Sequence, residues 1–295
     1  MATENICSAC SWSPARQHAC RYQSHVNLFY GVSNRGVWSL GSNLILKERS
    51  TEPPNFEVPN IRFLASKTSI PIPRIVEEWQ EDDGACFLLT RRIRGQPLSE
   101  LWPTMTSADK ERVAKQTAEY LMIQLHELRS NRMESIGGQP IYSAFLFPHT
   151  YGIGHGPFSS DDELWAEMSL TLNDQVPEQV RSKLRQRMPT AAPYTFTHGD
   201  LTNVNIMVEN GNLAGILDWE SSAFFPVWWE FTCAGIGLGQ DDKEWKDLLR
   251  SHLPDHTEAR NFWLDFFALH NYPNLNERGL ALLKECDLDL PEKET

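Results

Sequence analysis

The chain has 295 residues, 41% hydrophobic and 22% charged, which is enough for one large core or two modest ones and is not the composition of a disordered protein. A formal net charge of −12 argues against a nucleic-acid binder, which needs a basic face. No run reaches the ~20 apolar residues of a membrane span; the nearest, residues 224–239, is broken by Pro226 and Glu230.

Residues 1–26 are polar and lack the basic start and apolar run of a secretory signal. Cys7 and Cys10 form a C-x-x-C pair, with His18, Cys20 and His25 downstream. A zinc site is one reading. The irregular spacing and the lack of a second C-x-x-C favour free thiols on a flexible arm. Six cysteines in a chain this long do not form a disulfide scaffold. A reduced, cytoplasmic protein is expected.

Residues 27–93 read as a small β-rich unit with one helix. VNLFYGV, GVWSL and LILKE are apolar strand segments between turn signals, which predicts a β-meander. NFEVPNIRFLASKTS predicts a helix with Asn55 as N-cap and Pro59 in its first turn. IPRIVEEWQ and ACFLLTRRI read as two strands around the turn EDDG.

After a junction at RRIRGQPLSELW, residues 94–295 read as mostly helical. Val113, Thr117, Leu121, Leu125 and Leu128 recur at helical spacing, so a helix is expected over residues 107–130, capped by Ser107. Residues 131–160 read as loop, and DDELWAEMSLTLNDQ and PEQVRSKLRQRM as helices. NIMV and AGILDW flank the turn ENGN, a strong hairpin signal. Beyond Phe224 the chain reads as helical again, in EWKDLLRSHL and EARNFWLDFFALHNY.

The hairpin carries the chemistry. Its strand ends meet, so Asn205 and Asp218 are expected close in space, offering the hard oxygen ligands that suit Mg²⁺. Asp200, on the loop before, is free to orient a hydroxyl nucleophile. Those are the parts that phosphoryl transfer needs. Taken singly, each residue is equally a turn-forming Asp or Asn.

HGDLTNVN at 198–205 with ILDWE at 216–220 resembles the aminoglycoside phosphotransferase and choline kinase family, small-molecule relatives of protein kinases. His198, Gly199, Asp200, Asn205, Asp218, Trp219 and Glu220 fill its pattern. The resemblance implies an α+β, two-lobed protein-kinase-like fold with a small β-rich N-lobe and a larger, mostly helical C-lobe that builds the acceptor pocket. It implies ATP and Mg²⁺, with Asp200 as catalytic base and Asn205 and Asp218 as metal ligands; Glu220 matches a family acid of less settled role. Lys47 at the end of LILKE and Glu57 at the helix start match the pair that holds the α- and β-phosphates. GVSNRG resembles the family's phosphate loop, with Ser33 and Asn34 near the phosphates, and Thr90 to Ile93 would be the hinge that meets adenine. The DWESSAFFPVWWEF segment resembles fungal-type members and is expected to pack the hairpin, so it is not assigned to substrate.

GIGHG at 152–156 and GIGLG at 235–239 lack the spacing and context of nucleotide loops. Gly199 stands where protein kinases have an Arg, D-W-E replaces D-F-G, and no A-P-E follows. A small-molecule acceptor and constitutive activity are therefore expected, with no nucleic acid, no membrane and no indicated protein partner. Trp165, Trp228, Trp229, Trp245 and Trp263, with Glu230 and Asp241, are candidate acceptor contacts for an amine, against the plainer reading of Trp as core. The leading expectation is an ATP-dependent phosphotransferase acting on an alcohol group of an amine-bearing or secondary-metabolite acceptor. Two others stay open: a biosynthetic enzyme that uses phosphorylation to drive elimination or cyclisation, or works without ATP, and a nucleotide-binding scaffold.

Overall fold

The computed structural model describes residues 25–32, 35–50 and 53–288. They divide into two compact units, one from residues up to 50 together with 73–93, the other from 53–72 together with 94–288. Among the described residues no helix is long and apolar enough to cross a membrane.

The first unit is one antiparallel sheet. Its strands β1 (Val26–Val32), β2 (Arg35–Leu40), β3 (Leu44–Arg49), β4 (Arg74–Gln80) and β5 (Cys86–Arg91) lie in the order β1-β2-β3-β5-β4. The meander and the β4–β5 hairpin are those expected from the turn residues. β3 is central, and Lys47 pairs with Val37 on one side and Leu88 on the other. Cross-strand partners share a face, so Lys47 stands on the face that buries Leu88 and Thr90.

Helix α1 (Glu57–Lys67) packs with the second unit, although its sequence position grouped it with the sheet. The reason lies in its inner face. Asn60, Ile61 and Leu64 are buried, and the Phe63 ring lies 5.3 Å from that of Phe196 and 6.0 Å from that of Phe224. The N-cap is Phe56, one residue after the expected Asn55, whose side chain accepts from the Glu57 N–H at 2.7 Å in the turn that leads into the helix.

Helix α2 (Ser107–Tyr120) is capped by Thr106, whose hydroxyl accepts from Asp109 N–H at 3.1 Å, one residue before the expected Ser107. It continues through a π-helical turn at Leu121–Leu125 and stops short of residue 130. There Arg129–Ser130 (β7) leaves the helix to pair with β8 (Tyr194–Thr197). Main-chain pairing across the sheet wins over continuing the helix. Helix α3 (Asp161–Leu170) also ends before the expected residue 175, because Asn173 accepts from Gln175 N–H at 2.9 Å and turns the chain. α4 (Glu178–Arg187) follows.

Two small sheets frame the middle of this unit. One runs β10 (Asn212–Ile216), β9 (Ile206–Glu209), β6 (Gln96–Pro97); the other runs β11 (Ala223–Pro226), β8, β7. The β9–β10 hairpin turns at Asn210 and Gly211 with φ of 52° and 71°, the left-handed pair that Asn-Gly supplies. β11 was not expected: the apolar run AFFP pairs residue for residue with β8, and helix resumes only at Trp229–Cys233. Helices α5 (Gln240–Ser251), α6 (Thr257–Ala268) and α7 (Glu277–Lys284) complete the unit. Its core includes Trp102, Trp219, Trp228, Trp229 and Trp245, each at most 2% exposed.

Candidate active site

The buried strand β8 delivers the chain to His198, and two constraints shape the turn that follows. Gly199 has φ +81°, and a Cβ there would meet Ser221 O at 3.1 Å, so the residue must be small and left-handed. The buried carboxylate of Glu230 accepts from His198 N–H at 2.7 Å and from Gly199 N–H at 3.3 Å. The His198 ring bonds Leu217 O through Nε2 at 2.9 Å and accepts from Asp200 N–H at Nδ1, 3.2 Å away. One nitrogen donates and the other accepts, which defines the neutral Nε2–H tautomer. One imidazole thereby links the Asp200 loop to the residue before Asp218.

Asp200 and Asn205 are joined directly. The Asn205 amide donates to Asp200 O at 2.9 Å and to Asp200 Oδ2 at 3.3 Å. Leu217 N–H donates to Asn205 O at 2.8 Å. The hairpin therefore brings Asn205 beside the Asp218 turn. Asp218 has φ 64° and ψ 63°, a left-handed conformation that Asp tolerates better than most residues. The turn is held from α1, whose Asn60 amide donates to Trp219 O and to Ser222 O, both at 2.8 Å. Trp219 is fully buried with its ring centroid 4.5 Å from that of His198.

Burial pushes the Asp200 carboxyl up to about 6; Lys246 pulls it down, and Asp218, Asp242 and Glu220 add to the rise. A carboxylate near 6 is suited to taking a proton at neutral pH. Lys246 is 3% exposed, 3.3 Å from Asp242, and also donates to Ile236 O. Asp242 accepts from Asn203 N–H at 2.7 Å and from Leu238 N–H at 2.8 Å, and Trp245 donates to Leu201 O at 2.9 Å. One face of α5 thus holds the loop between Asp200 and Asn205.

The carboxylates of Glu57, Asp218 and Glu220 place oxygens within 4.8 Å of one another, and Asn55 donates to Glu220 at 3.1 Å. Three converging acids repel unless a cation lies among them. The donors are hard oxygens, with the Asn205 amide nearby, so the residues fit Mg²⁺ rather than a softer metal.

Of the expected site residues, Asp200, Asn205, Asp218 and Glu57 lie in the second unit, and Lys47, Thr90 and Ile93 in the first. Ser33 and Asn34 lie outside the described residues, as do Cys7, Cys10 and Cys20. Trp228, Trp229, Trp245 and Trp263 are core, and Glu230 is a buried main-chain acceptor; none of these five is an open acceptor contact. Trp165 is half-buried and Asp241 exposed. Sequence reasoning missed Asn60, Asp242 and Lys246. The i, i+4 spacing of Asp242 and Lys246 was visible, but it reads equally as a solvated helix pair.

The model of the phosphotransferase enzyme family matches residues 31–262. No curated protein sequence matches the chain. Among solved structures it is similar to ADP-bound aminoglycoside phosphotransferase APH(2'')-Ib, with TM-score 0.57 and 13% identity over 90% of this chain and 91% of that one. It is similar to the GDP complex of aminoglycoside 2'-phosphotransferase-IIIa, with TM-score 0.56 and 17% identity over 92% and 94%. Aminoglycoside phosphotransferase APH(4)-Ia matches with TM-score 0.56 and 14% identity over 90% and 92%. At these identities the likeness is one of fold, and that fold is kinase-like and α+β.

Proposed function

The chain belongs to the phosphotransferase enzyme family, and from that premise we propose that it is an ATP-dependent kinase that phosphorylates a hydroxyl of a small, amine-bearing or secondary-metabolite acceptor in the cytoplasm. The observation that carries this reading is the bond from Asn205 to Asp200 beside the Asp218 turn. It joins a carboxylate suited to act as a base to the oxygen donors of a hard cation.

Asp200 accepts the proton of the acceptor hydroxyl as its oxygen bonds to the γ-phosphorus, and ADP departs. Asn205 and Asp218 are assigned to Mg²⁺, which when bound neutralises charge on the phosphates. Lys47 is assigned to the α- and β-phosphates with Glu57 as its orienting acid, Ser33 and Asn34 to the phosphate loop, and the main chain at Thr90 and Ile93 to adenine.

The test is Mg²⁺-dependent ATP consumption across a panel of amines, aminoglycosides, sugars and fungal metabolites, with mass detection of the ~80 Da gain of one phosphoryl group. A product that disappears in Asp200→Ala supports the reading and identifies the acceptor class. Nucleotide binding without any product would turn the assignment to a biosynthetic or scaffolding role.

A further inference from the structure

Asn205 and Asp218 flank the open end of the β9–β10 hairpin. At its other end Glu209, Asn210 and Gly211 line a cavity of about 450 Å³, closed on the far side by Leu101, Met105 and Asp109. Every residue that lines it belongs to the second unit. The volume falls within the roughly 300–1,000 Å³ of small-molecule sites.

Contacts between distant segments fix its walls. Arg112 donates to Asp109 Oδ1 at 2.6 Å and to Gly211 O at 3.0 Å, and Gln116 accepts from Leu213 N–H at 2.8 Å, so α2 is tied to the hairpin. Gly95 has φ +95°, and a Cβ there would stand 2.2 Å from Val208 O, so only glycine lets the chain lie this close to β9. The lining is one-sided in charge. Asp109 and Glu209 line the cavity, and no lysine, arginine or histidine does. Asp109 is already met by Arg112 and by the Thr106 hydroxyl, which donates to it at 2.8 Å. Glu209 is exposed and makes no hydrogen bond or ion pair to any described residue. Leu101 and Met105, both half-buried, give the same cavity apolar surface.

We propose that this cavity binds a small protonated primary amine, its ammonium on Glu209 and its hydrocarbon body against Leu101 and Met105, as a site separate from the residues assigned to phosphoryl transfer. An ammonium donates charge-assisted hydrogen bonds to a carboxylate that has no other partner. The hydrocarbon gains by leaving water for the apolar wall. An anion would meet two acids in a chain of net charge −12. A neutral alcohol of the same shape would keep only the apolar part of the interaction.

The test titrates cyclohexylamine into the ¹⁵N-labelled full chain near neutral pH at constant ionic strength, with cyclohexanol as the neutral counterpart. The Gly95 and Gly211 amide signals report on the cavity, and that of Gly199 on the loop at Asp200. The expected result is a saturable shift at Gly95 and Gly211, with affinity at least about fivefold weaker for cyclohexanol and for the amine in Glu209→Gln. Glu209 is exposed, so this substitution leaves the fold intact. Saturation at Gly199 without any at Gly95 and Gly211 would place the amine at the proposed active site and overturn the cavity as its site. No saturable shift at Gly95 and Gly211, equal affinity for cyclohexanol, or equal affinity in Glu209→Gln would each overturn the proposal as well.

Discussion

The side-chain amide of Asn60 donates to the main-chain carbonyl of Trp219 at 2.8 Å, across 159 positions of sequence. The same nitrogen reaches Ser222 O, so one buried residue of α1 holds both sides of the turn that begins at Asp218. Asn60→Ala leaves Ser222 O without its donor and Trp219 O with only the long bond from Ser222 N–H at 3.4 Å, at about 1–3 kcal/mol. The expected outcome is a lower midpoint in denaturant at unchanged slope, together with weaker Mg²⁺ dependence of turnover. Wild-type stability in this variant would show the turn is held by other contacts.

Asp200→Asn removes the carboxylate proposed as the base while leaving the main-chain bond from Asn205 to Asp200 O in place. General-base removal costs about 10²–10⁴ in kcat. The stabilisation by Mg²⁺ and ATP, read as a thermal shift, should stay near the wild-type value. Unchanged kcat would remove Asp200 from the role of base.

Asp242 and Lys246 form a buried pair whose carboxylate also holds Asn203 and Leu238 N–H groups. Lys246→Met strands a buried carboxylate, which costs about 3–5 kcal/mol. Pairing it with Asp242→Asn restores part of that loss, so the double-mutant cycle should show coupling of at least about 1 kcal/mol. Additive losses measured by chemical denaturation would mean the two side chains act separately.

Glu230 gives stability a pH dependence. Burial raises its carboxyl from 4.5 to about 7, against the two main-chain N–H bonds that favour the ionised form. Between those values the unfolded chain has released the proton and the folded chain retains it. Stability therefore falls as pH rises through the window, by up to about 3 kcal/mol, and levels off above it. Glu230→Gln cannot titrate, so this component of the slope should vanish in urea titrations from pH 4.5 to 8. A slope unchanged by the substitution would assign it to other groups.

Local signals carried much of the fold. The meander of the first unit follows from apolar segments between turn residues, and Asn210-Gly211 is itself the conformation of the hairpin turn. Element ends were less legible. Helix α2 stops where Arg129 and Ser130 find strand partners 66 and 64 positions away, and β11 exists because AFFP meets β8. Pairing partners of that kind leave no mark in the local pattern.

The same division runs through the candidate site. By itself the sequence determined the residue types and spacing at His198, Asp200, Asn205 and Asp218, because a hairpin fixes which of its residues meet. Only the tertiary structure decided what the surrounding charges do. Glu230, an acid beside candidate acceptor contacts in the sequence, is a buried acceptor for the turn at His198; Asp242 and Lys246, an ordinary helix pair by spacing, are the buried support of the loop between Asp200 and Asn205. A carboxylate or ammonium acts according to how far water is removed and which groups replace it. Those replacements come from segments 32 to 165 positions away, and only the folded chain brings them together.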